Sequence, residues 1–565
     1  MNDIAADISG DQIQALQFAP SPRPPLRSGV DAAGAAIDNL ESTRHRVVIV
    51  GAGPVGLSLA IDLAQRGQRV LLLDNDDRLS TGSRAICFAK RTLEIWDRLG
   101  VGEAMVAKGV SWQVGRVFRG QAQVYQFDMQ PQPGHQRPAF INLQQYYTEA
   151  YLLRRVQQLP SIELRWKHEV ATVEAQADAV RLGVDTADGR YHLDADHVVA
   201  CDGPRSTLRR QMGLETQGRT FRDRFLIGDV RMSIDLPAER WFWFDPPFHP
   251  GFSVLLHRQP DAVWRIDWQL GWDADPQAEK QPERIRARVN AMMRQALGHE
   301  VPFELVWASV YTFSCQRMQR FRQGRVLFAG DAAHGVSPFG ARGANSGVQD
   351  ADNLGWKLGA VLRGTAPDAL LDSYADEREA AADENIQASS RATDFITPKS
   401  EISRLFRDAV LSLAAAHPFA RSLVNSGRLS VPAVLHHSAL NTPDVTEAAD
   451  AFSASMRPGT AAADAPLQRA DGAATWLLRE LSGQGFALLC FGSAPDWAHQ
   501  ISDLQCLEIG PGLALRDELG LAQQRYDARP GTAYLIRPDQ HVAARWHSPT
   551  AALVQAALRR ALALE

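Results

Sequence analysis

The chain has 565 residues, a length that suggests two to four domains, and its 45% hydrophobic and 22% charged residues are ordinary for a globular protein in water. A formal net charge of −5 gives no reason to expect nucleic acid or an anionic membrane as partner, and no apolar run approaches the ~20 residues of a membrane span. Cys87, Cys201, Cys315, Cys490 and Cys506 form no CxxC pair, so neither a disulfide framework nor a metal knuckle is expected; without a basic-then-apolar leader, the chain is expected in the cytoplasm.

In chain order, residues 1–44 are rich in Ala, Asp, Pro and Ser, with PSPRPP at 20–25, and are expected to form a disordered or loosely docked arm. RVVIV (46–50) is a β-branched run without alternation, the pattern of a strand buried on both faces. Gly51–Gly56 and an apolar helix with Leu59, Ala60, Leu63 and Ala64 follow, then a second buried strand, RVLLLD (69–74), which makes a right-handed βαβ unit. HVVACDG (197–203) and RVLFAGDAAH (325–334) are further buried strands.

Residues 225–312 are aromatic and alternate with period two. In WRIDWQL (264–270), Trp264, Ile266, Trp268 and Leu270 face one way, and Arg265, Asp267 and Gln269 the other, as in an antiparallel sheet with one apolar face. This reads as a second domain, 225–312, inserted into a first, discontinuous domain at 45–224 and 313–400. A helical linker is expected at 401–455, and a final α/β unit at 456–565 with strands at 486–493 and 532–539 and a closing helix.

The motif GAGPVG carries dinucleotide chemistry. Gly51 permits the tight turn, Gly53 lets the backbone approach a pyrophosphate, and Gly56 allows close helix–strand packing, while Ala52, Pro54 and Val55 complete the turn and open the helix. Phosphates belong at such a helix N-terminus, where free N–H groups and the dipole favour negative charge. Asp74, 18 residues past Gly56, is placed to accept from a ribose hydroxyl. From these residues alone the nucleotide is NAD(P) or FAD.

The downstream block GDAAHGVSPFGARGANSGVQDADNLGWKL (330–358) resembles the flavoprotein aromatic hydroxylases of the para-hydroxybenzoate hydroxylase fold. CDGPRSTLRR (201–210), NLQQYYTEAYLLRR (142–155, with Tyr146 where the family has proline) and Arg84 fit the same family, and the resemblance spans roughly residues 45–400. It implies non-covalent FAD, with Asp331 on the ribityl hydroxyls, Gln145 and Arg84 at the flavin, and Asp202, Gly203 and Arg205 serving FAD and NAD(P)H. The loop 340–345, with Gly343, Ala344 and Asn345, would line the pyrimidine edge, and the helix beginning near Ser346 would point its positive end at the ring. Taken singly, Arg84 and Arg205 also admit a reading as helix caps or surface charges. Arg342, where the family has glutamine, could bind a substrate carboxylate, tune the flavin or face solvent. Residues 456–565 resemble the thioredoxin-like C-terminal domain of phenol hydroxylase and 3-(3-hydroxyphenyl)propionate hydroxylase relatives; lacking CxxC, it reads as structural or dimerising, so a homodimer is expected.

The resemblance implies hydroxylation of a phenol with NADPH or NADH and O2 through an FAD C4a-hydroperoxide. An aromatic lid could be drawn from Trp241, Trp243, Phe248, Phe252, Trp264 and Trp268, unless these are plain core. Arg265, Gln269, His257 and Pro338 are candidate substrate contacts. His257, Asp267 and Tyr311 are conceivable bases, with none in a diagnostic motif. A flavoprotein oxidase or dehydrogenase, or a flavin-dependent halogenase suggested by Trp241-Phe-Trp243, are the rival readings. No metal site is expected.

Overall fold

The computed structural model describes residues 8–30, 36–82, 84–130, 132–424, 429, 431–444, 452–453 and 455–565. Its first layer is a sheet whose parallel core runs Val326–Phe328, Tyr191–Ala200, His45–Val50, Val70–Asp74, Ile162–Trp166. Val47, Val48, Ile49 and Leu71–Leu73 are fully buried, which explains their uninterrupted apolar run: both faces are covered. The helix Pro54–Gln65 packs along the 21-residue helix Gly343–Arg363. That approach is close, since a Cβ at Gly355 would lie 1.9 Å from the Asp62 carboxylate.

The N-terminal segment departs from the expectation of a loose arm. Its described residues form a helix, Gly10–Ala15, with a Ser9/Gln12 capping box, and two paired strands, Leu26–Val30 and Ala36–Glu41. Leu40 registers against His192 of the main sheet, Phe18 stacks on Trp166 at 4.7 Å, and buried Arg165 holds Glu41 at 2.8 and 2.9 Å. Composition undercounts such a segment because a few apolar side chains, Ile13, Phe18 and Leu40, are buried in docking.

The second layer is a seven-stranded sheet in the order Glu304–Tyr311, Arg224–Arg231, Val263–Leu270, Ser253–Arg258, Arg240–Phe244, Val114–Arg119, Ala122–Asp128. The expected domain boundary is corrected here: residues 114–128 leave the first segment and add two strands to the sheet assigned to 225–312. The face bearing Trp264, Ile266, Trp268 and Leu270 is covered by the helix Pro282–Leu297 through Ile285, Val289, Met292 and Met293. Trp241, Trp243 and Phe248 belong to that same layer, so five of the six candidate lid aromatics are core; Phe252 alone stands apart.

The helices Glu401–Ala416 and Pro418–Val424 of the linker pack through Leu411, Ala414 and Ala420 near the opposite face of this sheet. Of the rest of the linker, 425–428, 430, 445–451 and 454 lie outside the described residues.

The C-terminal unit is a thioredoxin-like α/β layer. Phe486–Phe491 runs parallel to Leu504–Ile509 and antiparallel to Ala533–Ile536, which pairs antiparallel with Val542–Trp546, backed by the helix Ala551–Ala561. Burial pushes the Cys490 thiol up to about 12 and raises Cys506, so neither is a thiolate, and no disulfide joins them. This unit docks on the C-terminal half of helix Gly343–Arg363, where Trp356 meets Phe486 at 5.7 Å and donates to Asp539 at 3.0 Å. Among the described residues no helix is long and apolar enough to cross a membrane.

Candidate active site

The glycine turn is built as a cradle. Gly51 adopts φ +107°, and a Cβ there would lie 2.4 Å from the Cys201 carbonyl. Gly53 caps the helix Pro54–Gln65 in extended backbone, and a Cβ at Gly53 would meet nothing within 4 Å. Open space in front of a helix N-terminus, with first-turn N–H groups unused by the helix, fits a pyrophosphate. Asp74 closes its strand as expected and accepts from Ala52 N at 2.5 Å and Asp76 N at 2.8 Å. Burial raises its pKa against those two hydrogen bonds.

Val55 is the meeting point of three elements. Its side chain would lie within 3 Å of a Cβ at either Gly330 or Gly347. The N-termini of both long helices and the turn Gly330–Ala332 therefore converge. Asp331 projects from that turn with an exposed side chain. The protein packed around it raises its pKa by desolvation, with His334 and Arg84 opposing. Two positive helix ends facing an accessible carboxylate suit a flavin dinucleotide with hydroxyls and an electron-accepting ring.

Residues that motif reading missed hold this turn. Asp350 accepts from Gly330 N (3.0 Å), His334 Nε2 (2.7 Å) and Arg378 Nε (2.7 Å). Burial works against its ionisation, but His334 and Arg378 outweigh it and keep Asp350 below the usual carboxylate range. Arg209 donates to the Ala332 carbonyl at 2.6 Å, tying the turn to residues 201–210. The signal for Asp350 was its spacing, one helical face after Ser346. Asp350→Asn is expected to loosen the turn and lower FAD affinity roughly tenfold, about one hydrogen bond to a charged group, read by flavin titration.

The other expected cofactor residues divide. Gln145 opens its helix, accepts from Ala85 N at 3.1 Å and donates to Glu149 at 2.8 Å, fixing the strand-to-helix loop beside exposed Arg84. Asp202 caps the helix Thr207–Gln211 through Thr207 N at 2.7 Å, while its Oδ1 is buried with no partner among the described residues. Gly343 and Ala344 start the long helix as expected. The side chain of Asn345 is spent inside the protein: it accepts from Ala89 N and Thr92 Oγ1 and donates to the carbonyls of Cys87 and Ala341, leaving only backbone for a ligand. Arg342 is buried against Asn385 at 2.9 Å, so it does not face solvent.

The second wall of the site is the inner face of the seven-stranded sheet. Register puts Arg240, His257, Arg265, Asp229 and Trp307 in one row across five strands. Asp267 lies one pleat further along, beside Leu255 and Ile227. The flavin domain closes over this face: Cys87 lies in the field of Arg240, Arg265 and Asp267, and Phe339 packs on Phe225 at 5.0 Å. Pro338, exposed beside Phe339, is on the same loop.

The face expected to be polar carries polar residues, and the structure encloses them. Arg265, His257 and Gln269 are all buried. Arg265 is held by both oxygens of Asp229 at 2.8 Å, which makes it a structural ion pair. Gln269 accepts from Ser253 and borders a cleft with Phe252, Trp272 and Lys399 at the far end of the sheet. Burial first, then Arg240 and Arg265, hold His257 well below the usual histidine range, so it is neutral. Burial pushes Asp267 up to about 6, with Arg265 and Arg240 opposing, and its Oδ1 has no partner among the described residues.

Comparison with known proteins agrees with this geometry. A family described as "FAD binding domain" matches residues 44–389, and one described as "Aromatic-ring hydroxylase, C-terminal" matches residues 455–564. The chain is 28% identical to a 3-(3-hydroxy-phenyl)propionate/3-hydroxycinnamic acid hydroxylase of Mycolicibacterium gilvum over 537 residues, 89% of each chain. It is 30% identical to the protein of that name from Mycobacterium sp. (strain JLS), covering 80% of this chain and 77% of the relative. Among solved structures, the flavin-dependent monooxygenase PieE with FAD and substrate aligns with TM-score 0.78 at 22% identity, covering 93% of this chain and 100% of that one. Aklavinone-11 hydroxylase with FAD and aklavinone aligns with TM-score 0.73 at 24% identity, covering 92% and 100%. The relatives support the hydroxylase reading rather than an oxidase or halogenase. The chain belongs to the FAD-binding family with an aromatic-ring hydroxylase C-terminal domain and is a flavin-dependent aromatic monooxygenase.

Proposed function

We propose that the substrate is a phenol held between the inner sheet face and the flavin cleft, with its hydroxyl directed at Asp267. The observation that carries this reading is Asp267 itself: a carboxylate on the inner face of the sheet, with Oδ1 buried and without a partner among the described residues, and a pKa near 6. FAD, reduced by NADH or NADPH, supplies the activation of O2. Asp267 accepts the phenolic proton, which raises electron density on the ring before it meets the oxygen. Cys87, Phe225, Phe339 and neutral His257 keep water from the ring.

The cofactor contacts follow as part of the proposal. Gly51–Gly56 takes the pyrophosphate, Asp74 the adenosine ribose and Asp331 the ribityl chain. Arg84 and Gln145 sit on the ring side, with backbone N–H groups of Gly343–Asn345 at the pyrimidine edge.

Wild-type kcat/KM for a phenol is expected to rise with pH through about 6, and Asp267→Asn to lose that limb and ~10²–10³ in rate. A variant with the wild-type profile and rate would remove Asp267 from the mechanism. Stability moves the opposite way. The folded pKa lies above the unfolded one, so the unfolded chain ionises first and stability falls as pH rises from about 4 to 6. Asp267→Asn is thus expected to be more stable at pH 7, on the order of 2 kcal/mol, in thermal or urea unfolding.

We further propose a homodimer, supported by Ile402, Leu405, Phe406, Phe419 and Leu423, which stand exposed on two adjacent helices. A cytosolic location is proposed on the five free cysteines.

A further inference from the structure

Of the buried arginines among the described residues, Arg240 is the one with no hydrogen-bond or ion-pair partner. It is 8% exposed. Arg91, Arg165, Arg265, Arg378, Arg537 and others like them touch carboxylates, Arg209 is bonded to carbonyls and Arg342 to Asn385. Opposite Arg240 in register stand Gly115, which has no side chain, and His257, which carries no charge. Asp267 attracts it from a distance beyond ion-pair contact. A guanidinium has five N–H donors in a fixed fork matched to a carboxylate, and no Arg240 nitrogen is among the fully enclosed unpartnered atoms, so the fork keeps access to a ligand.

Arg240 shares the inner face with Asp267, two strands away and two residues further along, about 12 Å between Cα atoms at ordinary strand spacing and rise. That separation suits a ring bearing a short arm, with the hydroxyl at one end and an anion at the other. We propose that Arg240 is the specificity residue of this cavity and that the substrate is a phenol whose side arm ends in a carboxylate bound by its fork. The inference rests on the phenol reading above and adds the second charged group.

The test uses the FAD-loaded protein and two pairs of probes: 3-(3-hydroxyphenyl)propionate and its primary amide, and 3-hydroxyphenylacetate and its primary amide. Binding is read as perturbation of the flavin spectrum, and turnover as oxygenated product by mass. The wild type is expected to prefer each acid over its amide by ~10- to 100-fold in Kd and KM, the range of a charge-assisted hydrogen-bonded pair. Arg240→Gln is expected to bring the ratio close to one, and Arg240→Lys to restore part of it, since lysine keeps the charge but not the fork. Flavin content and melting temperature of each variant establish that it is folded, and the acid-to-amide ratio is insensitive to a general loss of stability. Equal oxygenation of acid and amide by the wild type overturns this inference and leaves the phenol reading standing, as does a full acid preference in Arg240→Gln. If no probe perturbs the flavin or gains oxygen, the phenol reading falls and this inference with it.

Discussion

Gly53→Val is expected to give a folded chain that carries no flavin. The position is unusual among the site glycines in having a backbone any residue can adopt, φ −76° and ψ −178°, with no atom within 4 Å of a built Cβ. The Cβ of a valine there meets nothing in the protein, and the side chain fills the space through which a pyrophosphate reaches the helix N–H groups. Losing two charge-assisted hydrogen bonds amounts to ~3–6 kcal/mol, or about 10²–10⁴ in FAD affinity. Absorbance at the flavin band against protein after desalting reads the loss, and the circular dichroism spectrum should stay that of the wild type. Gly53→Val protein that leaves the column yellow would refute the assignment of this turn. Gly51→Val is the contrasting change: its positive φ and the nearby Cys201 carbonyl make it a folding defect first.

The second large effect is expected at Arg537. This side chain is fully buried and joins Glu377 (2.7 and 3.0 Å) to Asp539 (2.5 Å), while Lys357 reaches Glu377 at 2.7 Å. Glu377 and Lys357 come from the flavin domain and Arg537 and Asp539 from the C-terminal unit, so the cluster joins the two. Burial penalises both carboxylates, yet Arg537 more than offsets it and holds each well below the usual range. Arg537→Met therefore leaves Glu377 with Lys357 and Asp539 with His541, both without the guanidinium that joined them, and breaking such a network costs ~3–5 kcal/mol. The expected readout is a lower-temperature unfolding step for the C-terminal unit, separate from the rest, with weaker flavin retention because Trp356 of the same contact sits on the helix that begins at the flavin cleft. A single unshifted transition would show the contact to be dispensable.

How much of this was legible in the sequence follows from the range of the interactions involved. The glycine turn, Asp74 and the βαβ unit are local: strand, turn and helix follow one another within thirty residues, and each dictates the next. The period-two run 264–270 gave its two faces correctly. It could not say that the polar face would be roofed by another domain, because that depends on Cys87 and Phe339, far away in sequence. For the same reason Arg265 looked like a substrate ligand. Its partner Asp229 is 36 residues distant and paired only through strand register. Arg240 carried no motif at all; what distinguishes it is the lack of a partner, which only three dimensions reveal. The two strands at 114–128 were absorbed into the wrong domain because nothing in their own pattern marks which sheet they join.

The docked N-terminal segment has a mechanical meaning. Asp11 reaches Arg231 on the substrate sheet at 3.2 Å, Gln14 takes the amide of Gly82 at 3.0 Å, and Gln17 donates to Asp77 at 2.9 Å. Gly82 and Asp77 flank the loop that leads to Arg84, so one short stretch of chain straps the wall proposed for the substrate to the wall proposed for the flavin. In a catalyst whose oxidising equivalents are wasted whenever ring and flavin drift apart, such a strap acts on coupling efficiency, the share of reductant that ends in product rather than in peroxide. Trimming or tagging that end for expression would then change the yield of the reaction without touching a single residue of the cleft.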